Sequence, residues 1–370
     1  MNSDWYVIQN IEDVDSPSIA LYKDHLMFNI HKMIAMVDGN TTKLTPHIKT
    51  NKMPKVIEQM ILSGIKNFKA STISEAEIAA HAGASSVLIA HQLVGPKIQR
   101  FAALTSHFSN TKFSTLVDNL TTVKKLNEEA AKNKIKISVF IDINNGMNRS
   151  GIEIGDGLNE LLKKLPKYTN LIFEGLHAYD GHLRDSDINT RKNKVEQGMA
   201  DVVMLYEELK EKKTDIKLVC GGTPSFTSHL INSERICSPG TCLLWDWGYD
   251  EKLTEQEFKF AALLITRVIS KPTEGIVTID LGHKSVASEN PIDKRVKFLN
   301  LDRYQLISQS EEHGVLQVDN WEEIRVGDVL YGIPYHICPS INLHDDVSVI
   351  VNGLKVDNWE ITARKRKISI

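Results

Sequence analysis

Leu26, Ile30, Met33, Ile34 and Val37 recur at helical spacing, which predicts an amphipathic helix over 20–38. Short apolar or alternating runs then predict strands near 42–48, 66–71, 86–90, 112–117, 136–142, 171–178, 216–220 and 235–240. Helical stretches separate most of them. Ser74-Glu75-Ala76-Glu77 reads as a capped helix start, and the Lys/Glu-rich 190–213 as another helix. Eight strands alternating with helices over about 220 residues predict a parallel (β/α)8 barrel. A doubly wound sheet gives the same alternation, but no GxGxxG follows the first strand.

After about residue 255 the texture changes. Phe260–Ile269, Gly275–Leu281, Arg303–Gln309, Val329–Tyr331, Val347–Val351 and Trp359–Thr362 are short strand-like runs broken by Gly, Asp and Asn. The expected organisation is therefore an α/β chain. Residues 20–250 form the barrel, and 1–19 with 251–370 form a β-rich second domain to which the N-terminus can add a strand.

Composition narrows the function classes. Lys plus Arg is 44 against 47 for Asp plus Glu among 370 residues, a net charge of −3, which offers no electrostatic footprint for nucleic acid. The Arg364-Lys365-Arg366-Lys367 cluster reads as a solvated or edge-strand tail. No apolar run approaches the ~18 residues of a membrane span. The first residues are acidic and lack a signal-peptide core, and the four cysteines include no CxxC pair. A reducing cytoplasm is the expected compartment.

Chemistry concentrates at the predicted strand ends, where barrels carry function. Lys49 closes the first strand beside His47; a desolvated lysine there can attack a carbonyl as an amine nucleophile, although most lysines are surface groups. Gly221-Gly222-Thr223 follows the seventh strand and Gly240-Thr241 the eighth. Glycines there let backbone N–H groups approach a phosphate. A lone GGT is a turn roughly four times in five, but the pair at adjacent strand ends favours the anion. An amine nucleophile and a phosphate pocket in one mouth imply pyridoxal 5′-phosphate, PLP. Arg149 offers a fixed positive charge to an anionic ring oxygen, against a surface ion pair. Tyr179 offers stacking or a hydrogen bond to a ring nitrogen, against ordinary core filling.

His336 and Cys338, two apart on a segment read as extended, point the same way and can grip one metal ion; His344-Asp345-Asp346 follows downstream. A thiolate ligand favours Zn²⁺ over Mg²⁺ or Mn²⁺. An HxC pair alone is a weak signal, since a buried Cys is usually a small hydrophobe. Cys237 and Cys242 read equally well as core.

Pro46-His47-Ile48-Lys49-Thr50-Asn51-Lys52, Gly146-Met147-Asn148-Arg149-Ser150-Gly151, Gly221-Gly222-Thr223-Pro224-Ser225 and His336-Ile337-Cys338-Pro339 together resemble the D-threonine aldolase and eukaryotic-type D-serine dehydratase family. These are fold-type III PLP enzymes related to alanine racemase. The resemblance implies an alanine-racemase-like barrel, a C-terminal β-domain and a homodimer. It implies Lys49 as the cofactor lysine, Arg149 at the phenolate oxygen and Tyr179 at the pyridine nitrogen. The Gly222-Thr223 and Gly240-Thr241 turns would lie at the phosphate, and His336 and Cys338 would hold the metal. Asn51 stands where the family often has His, and Ser238 where an Arg often precedes Pro-Gly.

Two reactions on a small β-hydroxy D-amino acid follow from that resemblance. A dehydratase takes D-serine to pyruvate and ammonia, with Lys49 removing the Cα proton and zinc helping hydroxide leave. An aldolase cleaves D-threonine to glycine and acetaldehyde. The family's aldolases commonly have Asp and Mn²⁺ where this chain has Cys338, which inclines the reading toward a dehydratase. A racemase would need no metal, and a non-enzymatic PLP carrier would lack the large second domain. His182, Lys284 and His313 are further candidates for the site or for structure.

Overall fold

The computed structural model describes residues 4–232 and 234–370. Its packing groups the chain into two compact units: residues up to Lys32 with Thr50–Met53 and Thr241–Arg364, and Met33–Lys49 with Pro54–Gly240 and Lys365–Ile370.

The predicted helix over 20–38 divides in two. Strand β1 spans Ser18–Tyr22, and helix α1 spans Lys23–Ala35. All of β1 beyond Ser18 is buried, so its apolar residues serve a sheet rather than a helix face.

The second unit alternates as expected. Its elements are α2 (Pro54–Leu62), β2 (Asn67–Ala70), α3 (Ile73–His81), β3 (Ser86–Gln92), α4 (Pro96–His107), β4 (Lys112–Val117), α5 (Leu120–Lys132) and β5 (Ile137–Ile143). Then come α6 (Asp156–Lys164), β6 (Leu171–Ala178), α7 (Ile188–Lys212), β7 (Lys217–Cys220), α8 (Phe226–His229) and β8 (Arg235–Cys237). Strands β2 to β8 form one parallel sheet in chain order. Side-chain caps start the helices: Thr72 accepts from Glu75 N–H, Asn119 from Thr122 N–H and Asp187 from Thr190 N–H. The α3 box is thus Thr72 with Glu75, two residues before the predicted start, and Glu75 also grips the Ser71 N–H and hydroxyl.

The predicted strand at 42–48 is not a regular strand. Thr41–Lys43 is a 3-10 turn, and Leu44 and His47 make isolated parallel bridges to Cys237 and Lys69. Thr45 N–H donates to Cys237 O and Ile48 N–H to Lys69 O, at 2.8 and 2.9 Å. Segment 44–48 therefore hydrogen-bonds both end strands and closes the seven-stranded sheet, with Pro46 interrupting its own ladder. Leu88, Leu116, Phe140 and Val219 pack inside as a buried cluster.

In the first unit β1 belongs to a nine-stranded sheet. After the single-turn α9 (Trp247–Asp250) come β9 (Ala262–Thr273), β10 (Ile276–Ile279), β11 (Val296–Phe298), β12 (Tyr304–Gln309), β13 (Gly314–Val318) and β14 (Val329–Pro334). Helix α10 (Ile337–Ile341), β15 (Asp346–Val351) and β16 (Leu354–Glu360) complete it. The order is β12-β13-β10-β9-β1-β15-β16, with β14 joining β9 to β11. Its core gathers Tyr22, Leu263, Ile265, Tyr331, Ile333 and Ile350. The basic tail is not an edge strand: Thr362–Lys365 is a 3-10 turn, and Arg364 pairs with Asp345. No described helix is long and apolar enough to cross a membrane.

Candidate active site

The C-terminal ends of the sheet strands surround a recess of about 480 Å³, counting the space open to solvent. His47, Lys49, Lys69, Asp142, Arg149, His177 and Tyr179 are among the residues lining it. Lys49 is half-buried there, and its N–H donates to His47 Nδ1 at 3.4 Å. Burial, with Lys49 and Lys69 nearby, holds His47 neutral, well below its usual pKa.

Tyr179 leaves the end of β6 with the Arg149 guanidinium 4.9 Å from its ring centroid and the Lys69 amine 5.3 Å away. Its ring packs closely against two glycines. A Cβ on Gly222 would stand 2.9 Å from the ring, and one on Gly181 would stand 2.2 Å from the hydroxyl.

The glycine turns interlock. Gly221 adopts φ +64°, and a Cβ there would press on the His229 ring at 2.6 Å; one on Gly240 would meet the His47 carbonyl at 2.4 Å. Gly240 N–H donates to Thr223 Oγ1 at 3.0 Å, joining the turn after β7 to that after β8. Beneath them Asp180 is the anchor. It accepts Ser225 Oγ at 2.6 Å and His229 Nε2 at 2.7 Å, and Gly222 N–H donates to Ser225 Oγ at 3.3 Å. Burial opposes charge on His229, but Cys220 and Asp180 outweigh it and raise its pKa to about 10.

A second buried pair, Asp142 and His177, also lines the recess. Asp142 accepts His177 Nδ1–H at 2.7 Å and is also held by Gln92 at 2.7 Å and Ser150 at 3.1 Å. Burial opposes the Asp142 carboxylate, yet His177, Gln92 and Ser150 keep its pKa below the usual range. Burial and the Lys69 charge lower His177, so its ring is neutral with Nε2 bare. That buried Nε2 has no hydrogen-bond partner among the described residues.

The first unit carries the other candidate pair. His336 is the N-cap of α10 and Cys338 lies in its first turn, so the segment is helical where the sequence reading had it extended. Pro339 is tolerated in a first turn, and Asp246 Oδ2 anchors the start by accepting Ile337 N–H at 3.0 Å. His336 and Cys338 remain in hydrogen-bond contact, while His336 Nδ1 meets Glu289 Oε1 at 2.6 Å. Burial lowers His336, but Cys338, Glu289 and Asp246 outweigh it and bring its pKa to about 9. Thr50 and Thr241 hydroxyls stand 3.2 and 3.3 Å from Cys338 Sγ. His344 instead bonds the Ser285 carbonyl, and no cluster of three or more metal-ligating side chains occurs among the described residues.

Each residue thus has a place. Lys49, Arg149 and Tyr179 share the recess, Gly221, Gly222, Thr223 and Gly240 form the joined turns, and Thr241 reaches Cys338. Lys284 pairs with Glu311 and Glu312 on the surface, and His182 lies beside Gly146. The sequence reading missed Lys69, Asp142 and His177. Their signal was a charged or polar side chain inside a short apolar strand, at a position alternation turns inward.

Residues 22–245 match the family model for the alanine racemase N-terminal domain, and 261–350 match a serine dehydratase domain model. A 3-hydroxy-D-aspartate aldolase of Paracoccus denitrificans is 27% identical over 95% of this chain and 92% of its own. D-threo-3-hydroxyaspartate dehydratase of Delftia sp. is 24% identical over 39% of this chain and 37% of its own. The crystal structure of D-threonine aldolase from Filomicrobium marinum superposes with a TM-score of 0.86 at 25% identity, covering 97% of this chain and 98% of that one.

Proposed function

From the premise that this chain belongs to the alanine racemase N-terminal domain family, a fold-type III PLP family, we propose that it is a PLP-dependent lyase that dehydrates a β-hydroxy D-amino acid, D-serine foremost. The recess suits the cofactor in its donor set. It offers one half-buried amine at Lys49, a guanidinium at Arg149, a bare buried imidazole nitrogen and glycine turns that no Cβ could enter.

PLP, when bound, draws electrons away from the α-carbon of an amino acid joined to it. Lys49 would hold the cofactor and serve as the base for the Cα proton. Arg149 would balance the anionic ring oxygen, and Tyr179 would face the ring nitrogen. The Gly222-Thr223 and Gly240-Thr241 turns would lie at the phosphate, with the Gly222 and Gly240 N–H groups exchanging their present acceptors, Ser225 Oγ and Thr223 Oγ1, for its oxygens. His336 and Cys338 would hold Zn²⁺, which would supply Lewis-acid chemistry for a substrate hydroxyl. Glu289 on His336 Nδ1 fixes the ring and leaves its other nitrogen for metal.

The dehydratase reading is carried by one observation: the thiol of Cys338 in contact with His336, a soft donor pair that favours zinc. Retro-aldol cleavage is the second reading, favoured by near-full-length similarity to a protein named as an aldolase. Incubation with PLP, Zn²⁺ and D-threonine separates them. The expected products are 2-oxobutanoate and ammonia; glycine with acetaldehyde would establish the aldolase instead.

A further inference from the structure

Lys69 lies on β2 with its backbone bridged to His47, its side chain in the recess and only 2% of its surface exposed. A buried ammonium ordinarily has an anionic partner. The Lys69 amine has no ion pair among the described residues; it stands 5.3 Å from the centroid of the Tyr179 ring. His177 also lines the recess; its buried Nε2 has no hydrogen-bond partner among the described residues, while its Nδ1–H is fixed on Asp142. An amine short of an acceptor and an imidazole short of a donor are complementary.

We propose that Lys69 is a second catalytic amine of this site, a proton carrier served by His177 and Asp142, acting alongside Lys49. The inference rests on the lyase reading. In dehydration the neutral Lys69 amine takes on the Cα proton from the Lys49 ammonium, and in retro-aldol cleavage it takes the β-hydroxyl proton; in either case it becomes an ammonium. The same proton then leaves with product, in the water released on dehydration or on the α-carbon after retro-aldol cleavage. The lysine is regenerated and no other reactant is consumed.

The surrounding charges decide when Lys69 is neutral. Burial comes first, and the Lys49 charge adds to it; Asp142, Cys220 and Asp180 oppose. The result is a pKa of about 7. Arg149 and Tyr179 face it across the ring contact, and His47 is held neutral beside it. The neutral fraction, and with it the rate, grows as pH rises through that value.

The test uses PLP-loaded wild type, Lys69→Met and Lys69→Arg. Wild-type kcat/KM should rise with pH through about 7, and the visible absorbance of the bound cofactor should inflect at the same pH. Methionine keeps the bulk and loses the charge; arginine keeps the charge and cannot release it. Both variants should lose about 10²-fold in kcat/KM, and both the pH limb and the absorbance inflection should vanish. A Lys69→Met enzyme that keeps the limb and the inflection would overturn the proposal. Wild type that binds PLP but yields neither keto acid nor aldehyde fails the lyase reading alone, because the absorbance inflection still reports Lys69. Wild type that binds no PLP overturns both.

Discussion

Lys49→Ala is expected to lower kcat/KM by about 10⁴-fold or more while leaving a folded protein that still takes up PLP. The loss is large because Lys49 has two duties, attachment of the cofactor and removal of the Cα proton. The fold survives because Lys49 is half-buried and the closing hydrogen bonds of segment 44–48 are made by backbone. Uptake survives because the turns at Gly221–Thr223 and Gly240 rest on Asp180 and Thr223, not on Lys49. Steady-state kinetics and an absorbance titration of PLP read the two parts separately. Lys49→Arg should fare no better, since a guanidinium does not act as a nucleophile at these pH values.

Metal removal is expected to have the next largest effect. A chelator should lower kcat by about 10²- to 10³-fold, corresponding to several kcal/mol of Lewis-acid stabilisation. Added Zn²⁺ should restore wild type but not Cys338→Ala or His336→Ala. Neither change should unfold the protein, because Asp246 on Ile337 N–H holds the turn independently of both side chains. Metal content by elemental analysis, measured beside kcat, gives the check. Cys338→Asp should move the preference from zinc toward Mn²⁺, as a hard oxygen replaces a soft sulfur. An unchanged preference would remove the basis for choosing dehydration over cleavage.

Much of this architecture is written in periodicity. Strands at Lys112–Val117 and Leu171–Ala178 coincide with their predicted ranges, because long alternating or apolar runs bounded by polar turns leave few alternatives. Segment 42–48 misled, since Pro46 and two bridging partners make it look like a strand without a ladder of its own. Residues 20–38 misled differently: β1 carries the same apolar density as α1, and only its pairing with β9 and β15 separates them. Strands β11 and β13 escaped notice because three- and five-residue segments carry too little pattern.

The candidate site was legible where residue type and position coincide, as at Lys49, the glycine turns and the His336–Cys338 pair. It was not legible where tertiary contact supplies the meaning. Asp142 sits inside an apolar run, and nothing local reveals that it orients His177 35 positions away. Asp180 looks like a loop acid, yet it fixes Ser225 and His229 beneath the turn.

The central claim is that Lys49 is the residue bonded to the cofactor, and the recess holds two lysines that could compete for it. The most direct measurement is to reduce the PLP-loaded protein with borohydride, digest it and locate the pyridoxyl group by mass spectrometry. The account predicts one modified peptide, labelled at Lys49. A label on Lys69, or on a lysine outside the recess, would contradict it.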